Sequence, residues 1–474
     1  MPLILGTNSI KDTGYNVANS LRLDDGSSAY MHKTPGSAGN RRTFTLSIWF
    51  KISAVDTGTR FLFSAQSDGN NYSILRMENH QLQWLVANSG SVVGNLLTNQ
   101  LLRDPIAWMN VIIAVDTTDG TSGNRQKMYI NGTQVTSFAT ETQPNQNTDF
   151  TMNNTVEHDI GSFGAGSYFD GYLAEVVSID GSQLSPTSFG EFNSDSPTIW
   201  QPIDVSGLTF GTNGFHLDFE DSSNLGNDAN GGTDFTEVNL AATDQSTDTC
   251  TNNFATLNPI SPNDYTFSKG NTYIVSGSSA STAIGTFATS SGKWYWEVKL
   301  VSGQSNYPRI GIYKMNSDNH IYTTYLGNAS GGTGKWWGSG TSQTGIIADG
   351  NSSTTNFFSY GNGDILMFAM DNDNGKIWFG ENGTWYTNDN STTTTASAIS
   401  SGSATPAFST VTSGELWTPA VFGNNGADNW SINFGNPSFS ISSGNADDEG
   451  FGNFEFPPPS GFFSLCSSNL AEYG

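Results

Sequence analysis

Phe44-Thr45-Leu46-Ser47-Ile48-Trp49-Phe50 alternates at every second position. In an extended chain Phe44, Leu46, Ile48 and Phe50 fall on one face, the period of a strand that lines a core. Working outward, Val111 to Val115 is a continuous apolar run, as in a strand covered on both faces. Lys127-Met128-Tyr129-Ile130-Asn131-Gly132-Thr133-Gln134-Val135 reads as a hairpin, because Asn-Gly takes the two positive φ angles of a type I′ turn. Gly171 to Ile179 is a further strand, stopped by Asp180-Gly181. A second alternating stretch, Trp294-Tyr295-Trp296-Glu297-Val298-Lys299-Leu300, puts Trp294, Trp296, Val298 and Leu300 on one face. Arg309 to Tyr313, Asp364 to Met370, Lys376 to Phe379 joined to Thr384–Tyr386 by Asn382-Gly383, Trp417 to Phe422 and Trp430 to Phe434 complete that block. One short helix is expected near Leu184–Phe192, where Ser185 can cap and Pro186 can occupy the first helical position. The pattern predicts an all-β chain of two antiparallel β-sandwich domains.

Composition agrees. The 474 residues suit about two to four domains. Charged residues make up 13%, against about 25% in an average soluble protein. The 30 Phe, 16 Tyr and 12 Trp supply enough apolar surface to exclude a disordered chain. The wealth of Gly, Ser, Thr and Asn disfavours helices. With 18 Lys plus Arg against 43 Asp plus Glu, the net charge is -25, and the longest basic run is Arg41-Arg42. This excludes phosphate-neutralising nucleic-acid binding and attraction to anionic membranes. Two cysteines, Cys250 and Cys466, cannot staple a chain of this size, so free thiols and assembly in a reducing cytoplasm are expected. Met1 to Gly6 lacks the basic and apolar regions of a signal peptide.

Composition shifts suggest boundaries: an N-terminal arm at 1–17 with a possible docking role, a sandwich at 18–200, an irregular connector at 201–260, a second sandwich at 261–440, and a tail at 441–474. Ser391 to Ser413, rich in Thr and Ser, reads as a loop.

Residues 18–200 resemble the concanavalin A-like (laminin G-like) sandwich through Ser20–Leu23, Phe44–Phe50, the Tyr129–Thr133 hairpin and Gly171-Tyr172-Leu173-Ala174-Glu175-Val176. Residues 265–435 resemble a SPRY domain through Gly292–Val298, Gly311-Ile312, Gly363-Asp364-Ile365, Asn374–Phe379 and Pro419-Ala420-Val421. Joined by the connector Thr251–Pro259 and followed by Pro459-Ser460-Gly461-Phe462, Leu465-Cys466 and Asn469-Leu470, this order resembles fibre and appendage proteins of tailed, especially aquatic, bacteriophages. The resemblance implies a virion-surface structural protein assembled in the host cytoplasm, a homo-oligomer (a trimer), with a host-cell glycan or protein receptor and other virion proteins as partners.

Some concanavalin-like sandwiches hydrolyse glycans with two carboxylates at i and i+2 of one strand. Near Glu175 the next acid is Asp180, at an offset of five and on the opposite face; Asp218 and Glu220 have the spacing but lie beside a turn. His32, His80, His158, His216 and His320 are scattered without catalytic or metal-ligand spacing. Asp371-Asn372-Asp373-Asn374-Gly375 lacks the glycine position and final Glu of an EF-hand loop and reads as a tight turn. No catalytic or metal-ligating residue is assigned and no cofactor is expected. Such domains can bind calcium at a sandwich edge, where Asp116 or Asp119 could contribute, but no motif supports a ligand set.

Glycan recognition pairs an exposed aromatic ring with amide and carboxylate groups. Tyr307, Tyr322, Tyr325, Trp336 and Trp337 lie in a Gly/Ser/Asn-rich part of the SPRY-like block, where the resemblance puts recognition loops. At least two of the five are expected in the core, since Lys335-Trp336-Trp337-Gly338 can itself form a strand. The tryptophans of strand patterns, Trp49, Trp84, Trp294, Trp296, Trp378 and Trp430, are assigned to the core. The expected function is non-enzymatic binding of host-surface glycans or other receptors through sandwich loops. The alternatives are a capsid-decorating or tail-connecting protein, and a capsule-degrading depolymerase.

Overall fold

Thr43–Ile52 is a ten-residue strand in the computed structural model, which describes residues 14–260, 264–303, 308–315, 326, 334–340, 343–349, 352–388, 392–423 and 428–474. Its Phe44, Leu46, Ile48 and Phe50 are wholly buried in one core with Trp84, Phe150 and Leu173. The described residues are mostly β, in several antiparallel sheets, and divide into two compact units, 14–251 and 252–474.

The first unit is built on two eight-stranded sheets. The inner sheet runs, in spatial order, Thr133–Gln134, Gln126–Ile130, Met109–Asp116, Thr43–Ile52, Gly171–Asp180, Ser20–Leu23 and Gln245–Ser246, with Phe215–Leu217 also paired to Gly171–Asp180. The open sheet runs Phe138–Thr142, Ser91–Leu101, Gln81–Asn88, Asn71–Glu78, Arg60–Asp68, Glu157–Ile160, Tyr30–Lys33 and Thr236–Val238. The hairpin turns at Asn131 (φ 47°) and Gly132 (φ 72°). Gly132 is required twice over, since a Cβ there would lie 2.3 Å from the Trp200 ring. The expected helix is a single 3-10 turn, Pro186–Ser188.

The connector expected at 201–260 is divided between the units. Three of its short strands, Phe215–Leu217, Thr236–Val238 and Gln245–Ser246, extend the first unit's sheets. Residues 205–210 cover part of the inner sheet's outer side: Phe210 and Val205 pack with Ile112, Val177 and Ile179. The outer positions of Thr43–Ile52 are therefore buried as well. Thr45 donates to Ser182 O at 2.8 Å, Trp49 packs on Val17, Ala174 and Trp200, and the Lys51 ammonium meets Asp248 Oδ2 at 2.5 Å.

In the second unit a nine-stranded sheet centred on Lys293–Ser302 packs on a six-stranded sheet centred on Arg309–Lys314. Trp337 of the smaller sheet stacks on Phe379 of the larger, centroids 6.0 Å apart. The tail at 441–474 is integral to this unit. Phe463–Ser464 pairs parallel to Trp294–Tyr295, Phe454 and Phe462 join Tyr295 and Trp378 in a core, and Ser467–Tyr473 forms a helix. Glu297 anchors it, accepting hydrogen bonds from Phe456 N at 2.8 Å and Glu455 N at 3.0 Å. The segment read as a loop at 391–413 contains a short helix, Ala396–Ser400. Thr395 caps it through Ala398 N, and Ile399 buries its side chain, so one apolar residue and a cap suffice where composition suggested none. The six tryptophans assigned to the core are all buried.

Candidate ligand-binding surface

Of the five aromatics expected to meet a ligand, Tyr307, Tyr322 and Tyr325 lie outside the described residues. Trp336 and Trp337 are buried on the strand Gly334–Gly340. Neighbouring residues of a strand point to opposite faces, and here both faces are covered. The Trp337 ring is enclosed by Phe357, Tyr360, Phe379 and Tyr386, and its Nε1 donates to Phe358 O at 2.7 Å. Trp336 lies under the Arg309 guanidinium, 4.2 Å from its centroid. Neither ring can stack on a sugar.

Half-exposed rings are found instead on the first unit's open sheet, on the side away from the core. Strand register sets His32, Asp159, Ser64, Ile74, Leu85 and Asn95 in one cross-strand row. A parallel row holds Glu157, Gln66, Tyr72 and Ala87. Tyr30 flanks the first row, its ring 5.8 Å from His32 and 5.9 Å from Tyr168. The segment 161–170 crosses this face. Its Phe163 stacks on Phe61 at 5.0 Å and meets Tyr72 edge-on at 5.7 Å, closing a small apolar cluster with Ile74 and Leu85.

The polar groups beside these rings differ in access. Glu157 is 43% exposed and lies 3.4 Å from His32 Nδ1. Asp159 is wholly buried. Burial pushes its carboxyl up to about 6, although Gly164 N at 2.9 Å and the Ser162 hydroxyl at 3.1 Å donate to Oδ2. On the other side of the sheet His158 is buried and held neutral, its pKa lowered to about 4 by desolvation. Its Nε2 accepts from Asn153 N, leaving Nδ1 to donate to Val156 O. Next to Glu157, a cleft of about 460 Å³ is lined by Thr34, Gln66, Ser67, Asp68, Thr155 and Val156, within the ~300–1,000 Å³ usual for small-ligand sites.

A second cleft, about 570 Å³, lies among Asn40, Arg41, Arg42, Asp149 and Asp180. Its polar groups are engaged in holding loops: Asp180 accepts from Asn40 N, Asn153 Nδ2 and Asn213 N, and Arg42 is paired to Asp149. Neither cleft is itself lined by an aromatic ring; what differs is that half-exposed rings neighbour the first on the same sheet face.

Glu157 and Asp159 are a carboxylate pair at i and i+2 on one strand face, the spacing sought near Glu175 and Asp218 and missed here because only four residues form the strand. Only Glu157 reaches solvent. Glu175 instead forms a buried pair with His216, Oε2 to Nε2 2.9 Å. Asp218 closes a turn onto Glu220 N, and Asp371 does the same for Asn374. Cys250 and Cys466 are free thiols.

Residues 25–187 match the family model of the concanavalin A-like lectin/glucanases superfamily, so the first unit carries a concanavalin A-like domain. No curated protein matches the chain. Similar solved structures include the SPRY domain of human HERC1, 16% identical with a TM-score of 0.27, covering 37% of this chain and 96% of that one. The TRIM65 PSpry domain is 13% identical with a TM-score of 0.27, covering 38% and 91%. Stonustoxin is 18% identical with a TM-score of 0.26, covering 38% of this chain and 27% of that one.

Proposed function

We propose that this protein is a non-enzymatic appendage of a tailed-phage virion, and that the open sheet around Tyr30, His32 and Tyr168 binds a host-surface glycan. The observation that carries the binding role is the juxtaposition of half-exposed rings with an exposed carboxylate and a polar cleft on one face of the sheet. A sugar's apolar face gains by covering such rings, while Glu157, Gln66 and Asp68 offer partners that fix its hydroxyls. Burial of Asp159 under the segment 161–170 argues against acid–nucleophile chemistry, which needs both carboxyls at the bond. The virion context rests on the order of the two domain resemblances with the Thr251–Pro259 connector and the tail.

The test applies the full chain to a glycan array and to host cells. Binding that falls at least tenfold in the Tyr30→Ala/Tyr168→Ala double variant, without release of reducing sugar, supports the reading. Sugar release abolished by Glu157→Gln would replace it with a depolymerase. Labelling purified particles separates an appendage from a capsid decoration, and the mass in solution tests the trimer.

A further inference from the structure

We propose that Lys51 and Asp248 join in an intramolecular amide bond, a spontaneous cross-link inside the first unit. The Lys51 ammonium lies 2.5 Å from Asp248 Oδ2, and the two side chains are 1% and 0% exposed. A contact that short puts Nζ about 3–3.5 Å from the carboxyl carbon, the separation of a near-attack arrangement. Among the described residues this is the one lysine–carboxylate pair with neither side chain more than 1% exposed. Two charges held out of water carry a heavy desolvation cost, and burial lowers the Lys51 ammonium below its usual range against the pull of Asp248. Condensation to a neutral amide removes both charges at once.

The surroundings supply what the step needs. Trp108 Nε1 donates to Asp248 Oδ1 at 2.9 Å, the oxygen that stays in the amide and gathers negative charge as the nitrogen adds. The Tyr172 ring lies 5.1 Å from Lys51 Nζ and 6.2 Å from the Trp108 ring. Asp104 is a second carboxylate acting on Nζ and can relay protons. Both backbones are pinned. Lys51 is in register with Tyr172 on the neighbouring strand. The Asp248 carbonyl accepts from Ser20 Oγ at 2.6 Å, and its N–H donates to Ser246 Oγ at 3.2 Å. The step balances without oxidant or cofactor. One ammonium proton passes to the carboxylate, the Nζ–Cγ bond forms, the Cγ–Oδ2 bond breaks, and Oδ2 leaves as water with two of the three Nζ protons. Trp108 is half-buried, so the water is released beside a ring that reaches the surface. The partners are 197 residues apart. Their amide closes nearly the whole unit on itself, a cross-link that the free thiols of Cys250 and Cys466 do not provide. Tension between the unit's two ends then runs through the amide and spares residues 52–247.

The full chain, purified in reductant and then denatured, should weigh one water less than its sequence, after allowance for Met1 removal. Digestion should release a branched peptide that tandem mass spectrometry reads as Lys51 joined to Asp248. Lys51→Arg, which keeps the charge pair, should restore the full mass and migrate more slowly on a denaturing gel. Asp248→Ala should restore the mass too. The parent's own mass and branched peptide decide the matter, so a variant that fails to fold leaves the test intact. Full sequence mass in the parent would overturn the cross-link. So would a water loss that persists in Lys51→Arg, or one that maps to Asp180-Gly181 as a cyclic imide.

Discussion

The two large sheets of the first unit share one core but not one fate. The inner sheet has its outer side sealed: Trp49 is packed, Thr45 is hydrogen-bonded and Lys51 is ion-paired to Asp248. The open sheet carries Tyr30, His32, Tyr72 and Glu157 at the corresponding positions, all partly exposed. The difference lies in what the rest of the chain does. Segments after Asp180 spread across one sheet, whereas 161–170 crosses part of the other. A sealed face contributes stability; an open face of rings and polar groups is available for binding.

The largest expected effect is on the sealed side. Trp49→Ala should lower the stability of the first unit by about 3–5 kcal/mol, the usual cost of emptying a buried aromatic site, read from denaturant unfolding. A loss under about 1 kcal/mol would mean that the outer side is not a true core.

Beneath the open sheet the expected effect is one of pH. His158 titrates near 6.5 in an unfolded chain and is held to about 4 when folded. The unfolded state then takes up a proton that the native state refuses. Stability present above about pH 6.5 is lost as pH falls toward 4, about 2 kcal/mol of it by pH 5. Comparing unfolding at pH 7 and pH 5 for the parent and His158→Gln isolates this, because the variant should lack that increment.

Thr45→Val should cost about 1–2 kcal/mol, since it orphans Ser182 O and Leu184 N, both 2.8 Å from the hydroxyl. Tyr30→Ala should alter stability least, by under about 1 kcal/mol, while glycan affinity falls at least tenfold. Equal stability losses at Trp49 and Tyr30 would erase the distinction between the sheets.

Much of the fold was legible locally. The alternation of Phe44 to Phe50 identified the inner face, and Asn131-Gly132 and Asn382-Gly383 marked turns whose positive φ angles the structure contains. The site was less legible. Trp336 and Trp337 stood out as rings in a polar stretch, but a ring's exposure depends on the sheet packed against it. Tyr30 and Tyr168 belong to distant segments, and Asp159 was hidden in a strand too short to show a period. The connector misled because polar composition is compatible both with a free link and with short edge strands whose backbones pair with a neighbour.

Residue order alone fixed the all-β character, the strand faces and the tight turns, because side-chain alternation and backbone sterics act over a few neighbours. Which faces are roofed, which rings stay accessible and which carboxylates converge were decided only by tertiary structure. Burial and electrostatic pairing depend on distance in space, and segments as remote as 20–30 and 160–180 meet only once the sheets have closed.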